Sequence, residues 1–328
     1  MPAILTKNLS VINAENFVDS FINGDSNIYM AVGAGYQDGD NLSDKNLNDK
    51  QADEWERWED EMNPPTPVDT ISEQENFRNH IIGMKKIMIN DIMIMVPRVE
   101  WKEGSIYTPI NKDIKQGTSA TNYYCINSNN EVWLCVSTSG SAALKGEEPF
   151  YANGVVQNGK YVVEFNSGYK WEFLYNITAA MVNNGMLLDN WMPVPFNKHG
   201  KTNEISNSID ASMGTITVGG TITGYQKLNG DLNANRTLGA YRVLVTCKLS
   251  DEGDKIPYNS IYRQIGLLVD PTNVSTEGSG ALPDRLEGLV YAASEFDTQS
   301  GQLVYLENRR PVLREVSQDE TLNLLLIF

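Results

Sequence analysis

The stretch "YKWEFLYNI", residues 169–177, sets the fold class. Its odd positions, Tyr169, Trp171, Phe173, Tyr175 and Ile177, are aromatic or apolar, while Lys170, Glu172 and Asn176 alternate with them. A period of two belongs to a strand with one packed face and one face toward solvent. Moving outward, "YRVLVTCKL" (241–249) repeats it, with Tyr241, Val243, Val245, Cys247 and Leu249 on one side. In "GTITVGGTITGY" (214–225), Gly219 and Gly220 separate two Thr/Ile/Val runs, the composition of a two-residue hairpin turn. Further strands are expected at 27–32, 131–137, 161–165 and 261–269. Short strands this frequent predict antiparallel sheets packed as a sandwich or barrel.

Helices are expected to be few. Val11, Ala14, Val18 and Phe21 recur at helical spacing between Ser10 and Asn23-Gly24, which predicts a helix over about 11–22. Thr70 and Glu73 have the spacing of a capping box and open a short second helix. With 328 residues the chain exceeds a single-core size, so two lobes, or one body with a large insertion, are expected.

Charge and motifs remove several functions. Asp and Glu number 42 against 26 Lys and Arg, and a net charge of −16 without a basic patch repels nucleic-acid backbones. No apolar run approaches a membrane span and no secretory leader opens the sequence, so a cytosolic origin is expected. Cys125, Cys135 and Cys247 are too few and too scattered for a disulfide framework and read as reduced thiols. His80 and His199 stand in no metal or triad motif, and His80 reads as a helix-end residue. No nucleophile elbow or phosphate loop occurs, so no cofactor is expected. Glu164 and Glu172, on aromatic-rich strands, are the first pair for a glycosidase, although acids alternating with aromatics also describe a strand's wet face. A carbohydrate-binding or receptor-binding tail protein would be β-rich, acidic and aromatic as well.

The acidic segment 38–67 carries Asp38, Asp40 and Asp44 but lacks the mid-loop glycine and closing glutamate of a calcium loop, so it reads as solvated. Trp55 and Trp58 stand three apart, a spacing that puts both rings on one side of a helical turn. They either pack on their own domain or anchor a partner.

The carboxyl end is "YLENRRPVLREVSQDETLNLLLIF", 305–328. Glu307 and Arg309 are placed to pair, Pro311 favours an edge strand, and Leu322, Leu324, Leu326 and Phe328 share a face. Leu325 and Ile327 make the last residues apolar on both sides, which requires cover by the chain's own fold, a neighbouring subunit, or both.

This ending resembles that of the baseplate wedge proteins of T-even-like contractile-tailed bacteriophages that form homodimers. The resemblance rests on Tyr305, Glu307, Asn308, Arg309 and Pro311, then Gln318, Glu320, Asn323, Leu325 and Phe328. Three more segments agree in order: "VPRVEW" with Pro97, Arg98 and Trp101, "GYKWEFLYNI" at 168–177, and "RQIGLLVDP" at 263–271. Arg310 stands where the family pattern has proline. The resemblance implies a mainly β (α+β) fold, an antiparallel β-sandwich body of residues 1–100 with 241–328 that carries an inserted β-rich lobe, 101–240. It implies a structural subunit without catalytic residues, cofactor or metal. Such a subunit forms a homodimer and binds other baseplate wedge subunits during tail assembly and contraction. It would reside in the virion tail after assembly in the bacterial cytoplasm. The candidate interface residues are Trp55, Trp58, Arg309, Arg310 and Phe328.

Overall fold

The computed structural model describes residues 7–22, 27–34, 62–88, 91–109, 122–157, 160–183, 187–194, 209–210, 215–218, 221–225, 238–249, 255–258, 260–272, 290–315 and 320–328. In chain order its elements are α1 (Lys7–Ile22), β1 (Ile28–Gly33), α2 (Ile71–Asn79), β2 (Ile81–Lys86), β3 (Ile92–Pro97), β4 (Tyr124–Ile126) and β5 (Glu131–Ser137). There follow β6 (Val155–Gln157), β7 (Lys160–Glu164), β8 (Lys170–Asn176), α3 (Ala179–Asn183), β9 (Trp191–Val194), β10 (Ile209–Asp210), β11 (Thr215–Val218) and β12 (Thr221–Tyr225). The last five are β13 (Arg242–Leu249), β14 (Ile261–Val269), β15 (Val290–Ala292), β16 (Gln302–Leu313) and β17 (Glu320–Ile327). The fold is mainly β, as the alternation predicts. Its sheets run β15-β2-β1-β14-β16, β4-β5-β8-β7-β6, β17-β13-β3-β9 and β10-β11-β12. Val218 pairs with Thr221 across β11 and β12, and Gly219 and Gly220, the expected turn, lie outside the described residues.

The chain divides into two compact units. One comprises Met1–Ile22, Ile92–Leu244 and Leu324–Phe328, the other Asn23–Asp91 and Val245–Asn323.

In the first unit, β8 is the middle strand of its five-stranded sheet, and its odd residues enter an aromatic core. Trp133, Tyr169, Trp171 and Phe173 pack there with Tyr107, Cys125 and Cys135, all buried. Tyr107 sits edge-on to Trp171 at 5.0 Å, and Trp133 meets Phe173 at 5.3 Å, geometries that aromatic quadrupoles favour. Gly168 starts β8 from a left-handed conformation, φ 95°, that a side chain there would strain. The wet-face reading of β8 fails at Glu172. That residue is 1% exposed, because the flanking strands β5 and β7 and the stem of Lys160 cover it.

The second unit is built on the sheet containing β1 and β14. All six residues of β1 are buried, as suits a central strand flanked on both sides. Helix α2 lies on one face of the sheet. Thr70 caps it by accepting from the Glu73 amide, half of the reciprocal box its sequence signals. Phe77, fully buried, seats its ring over Gly33 and Gly266: a methyl group at 266 would lie 2.5 Å from ring atoms, and one at 33 would lie 3.0 Å away. These two glycines are therefore a socket for an aromatic ring. Arg78 fastens the same helix by donating to the carbonyls of Thr298, Ser300 and Gly301 at 3.1, 2.7 and 2.9 Å. His80 ends the helix as its C-cap, and burial lowers its pKa.

Candidate assembly surface

Strand β16 is the outer strand of its sheet and runs for twelve residues beside β14. It is not straight. Between Tyr262 and Gln264 the partner register jumps from Val312 to Asn308, so residues 309–311 bulge opposite a single residue. A second irregularity sets Val304 between the partners of Leu267 and Leu268. Pro311 falls within the first bulge of an edge strand, where its missing N–H costs no ladder bond.

The polar residues of "YLENRRP" each have a defined partner. Glu307 accepts from the Tyr305 hydroxyl at 2.7 Å and from Arg309 Nε at 2.7 Å, the pairing anticipated from the spacing. Arg309 also donates to the Asn323 carbonyl of β17 at 3.0 Å. Tyr262 donates to Glu320 at the start of that strand. Burial foremost, and the adjoining carboxylate second, push the hydroxyls of Tyr262 and Tyr305 well above the usual phenol range. Charge-assisted bonds to a shared carboxylate are the stronger kind, so Arg309 and Glu307 fix the local path of β16.

Asn308 and Arg310 work differently. Asn308 accepts from Gln264 Nε2 at 2.9 Å and donates to the Pro65 carbonyl at 2.9 Å, while Arg310 Nε donates to the Met62 carbonyl at 2.8 Å. The segment 62–67, which holds Pro64, Pro65 and Pro67, is thereby strapped to the outer strand. Proline cannot donate to a ladder, so the strap lies against the sheet without extending it. A lone sequence reading could not pair 62 with 310, since nothing in periodicity links residues 248 positions apart.

The other expected site residues divide as follows. Trp55 and Trp58, with most of the acidic segment, lie outside the described residues. In the first unit Phe328 stacks obliquely on Phe17 of α1 at 5.1 Å, and its amide donates to the Tyr241 carbonyl. Leu322, Leu324 and Leu326 are buried along one side of β17, but Ile327 on the other side is 67% exposed. The chain's own fold therefore covers one face of the last strand and leaves Ile327 outside.

The catalytic alternatives lose their geometry. Lys160 Nζ holds Glu172 at 2.8 Å, and Lys170 lies 3.7 Å from Glu164. Glu172 is buried in its ion pair while Glu164 is exposed, so only one of the two carboxylates has the open setting of a glycosidase pair. The rings that alternation assigns to the interior, Tyr169, Trp171 and Phe173, are buried and offer no exposed aromatic platform on β8. Cys125, Cys135 and Cys247 are free and buried, and burial raises the thiol pKa of Cys135 to about 12 and that of Cys125 well up. Among the described residues no group of His, Cys, Asp and Glu side chains is placed to hold a metal ion. No described helix is long and apolar enough to cross a membrane.

With these contacts established, comparison with known proteins is decisive. The family model described as Bacteriophage T4, Gp8 matches residues 133–328, which include most of β5, all of β8 and β14, and the whole of the β16–β17 region. The chain belongs to the phage T4 Gp8 family. A full-length relative agrees: the baseplate wedge protein gp8 of Enterobacteria phage T4 is 21% identical over 344 residues, covering 92% of this chain and 93% of that protein. In this Gp8-family chain, the segments with the signature residues are those that make the contacts above. Tyr305, Glu307, Asn308 and Arg309 form the network on β16, Trp171 fills the aromatic core, and Gln264 links β14 to β16.

Proposed function

We propose that this Gp8-family chain is a structural subunit of a bacteriophage tail baseplate wedge, which forms a homodimer and binds other wedge proteins as the tail assembles and contracts. The observation that carries the reading is the family match over residues 133–328, extended to nearly the whole chain by its T4 relative. The subunit acts through contact and not through bond chemistry. Its two candidate carboxylates are each neighboured by a lysine. It is made and assembled in the bacterial cytoplasm and ends in the virion tail, a history that suits three reduced cysteines.

A subunit of this kind needs permanent and exchangeable contacts. Permanent dimers bury about 2,000 Å² or more, largely apolar, whereas switching contacts are smaller and more polar. The exposed Ile327 and neighbouring Phe328 belong with the permanent class, and Trp55, Trp58 and the bulge at Arg309 and Arg310 with the exchangeable one. Light scattering of the purified chain, alone and mixed with the wedge proteins of the same phage, is the test. A dimer mass and a heavier mixed species are expected, and a monomer that ignores those proteins would overturn the reading. Replacing Trp55 and Trp58 by alanine is expected to weaken the mixed species while leaving the dimer folded.

A further inference from the structure

Exposed large apolar side chains in the second unit fall mainly on two segments of the chain. Of its six large hydrophobic residues exposed among the described positions, Met62, Val68 and Ile71 lie on the strap and the first residue of α2, and Val304 and Leu313 lie on β16. Only Met88 falls elsewhere. Met62, Val68 and Ile71 are 60%, 63% and 76% exposed within ten residues of chain, far more than a packed surface loop requires. The same stretch is held in place. Three prolines restrict it, and Asn308 and Arg310 tie two of its carbonyls to the outer strand. A segment ordered before binding loses little freedom on binding, which is the property of a docking surface.

The charges around it choose the partner. Between residues 62 and 77 the chain has Asp69, Glu73 and Glu75 and no lysine or arginine. Asp69 and Glu75 are exposed, and the cation that reaches in, Arg310, is engaged by the Met62 carbonyl. Self-pairing across this segment would set the same acidic rim against itself, and facing like charges disfavour that contact.

We propose that segment 62–71, braced by β16, is a docking surface for a different protein, one that presents apolar side chains inside a basic rim. This inference rests on the baseplate reading and assigns a surface to the heterologous contact, apart from the homodimer. Its composition, exposed apolar residues interspersed with acids along one short segment, matches that of an interface with an apolar core and a polar rim.

The test is made in reconstituted wedges. The full chain carries a photo-crosslinking residue in place of Val68 and, separately, the substitutions M62S, V68S and I71S together. Because these side chains are exposed, the triple variant is expected to melt within a few degrees of the wild type and to keep the wild-type mass when alone. Its incorporation into wedges is expected to fall at least tenfold, and irradiation is expected to join position 68 to a different wedge protein. Crosslinks to a second copy of this chain, or unchanged incorporation of the triple variant, would overturn the proposal while leaving the baseplate reading in place. If the wild type itself never enters a wedge, the baseplate reading fails and the docking surface fails with it.

Discussion

Phe77 and Gly266 provide a thermodynamic cycle in which two opposite defects cancel. Phe77 is fully buried between α2 and the sheet, and a methyl group at 266 would stand 2.5 Å from two of its ring atoms. Phe77→Ala removes a packed ring and leaves a void, a change that costs about 3–5 kcal/mol. Gly266→Ala forces a methyl into an occupied space and costs about 1–3 kcal/mol. In the double variant the methyl meets the void and, at 3.1 Å, only the flexible end of Leu303, so the glycine substitution is expected to cost much less than in the wild type. The coupling is then about 1–3 kcal/mol in the direction of relief, within the range that contacting residues show. Urea unfolding of the four proteins, with unchanged m-values, measures it. Each kcal/mol corresponds to roughly 2–4 °C for a domain of middling size, so thermal melting gives an independent reading. Strict additivity of the two costs would refute the socket, because it would mean that the ring and the glycine do not share a space.

Three further outcomes are expected. Asn308→Ala removes the acceptor of a buried Gln264 amide and the tie to Pro65, so it is expected to cost about 1–3 kcal/mol, whereas Arg310→Ala, at an exposed bond, costs about 1 kcal/mol or less; hydrogen exchange at 68–70 should quicken in both, and equal stability losses would contradict the assignment. Lys160→Ala leaves the Glu172 carboxylate buried without its lysine and is expected to destabilise by about 1.5–3 kcal/mol in chemical denaturation; a neutral result would show that water reaches the carboxylate. Tyr107 and Tyr123 are pushed up to about 12, chiefly by burial, so the folded chain holds their protons when the unfolded chain releases them near pH 10. Their contribution is complete below pH 10 and is lost as pH rises toward 12, and denaturation midpoints should fall over that window while phenolate absorbance lags behind that of free tyrosine.

The legible parts of the fold were those written in local pattern. Alternation in 169–177 placed the aromatic side of β8 correctly because a strand's two faces are fixed by backbone geometry. It misjudged Glu172, since burial depends on what the neighbouring strands bring, and Lys160 reaches across from a separate strand. The first helix begins at Lys7, before the apolar repeat starts, because polar residues extend a helix without marking it. Cys247 was placed in the core by its position in an apolar face, and it is buried. At the candidate surface, Glu307 with Arg309 could be read from spacing alone, being two residues apart on one strand. The attachment of Asn308 and Arg310 to residues 62–65 could not, because tertiary folding alone brings those segments together.

The two register shifts in β16 also govern what this molecule avoids. Each one wrenches the strand direction locally, so a foreign edge laid alongside could match only a few consecutive backbone groups before losing step. Runaway stacking of chains into fibrils needs a long, flat, repeating template. A border that is kinked twice supplies none, and so crowded copies can meet through chosen side chains without zipping together along their backbones.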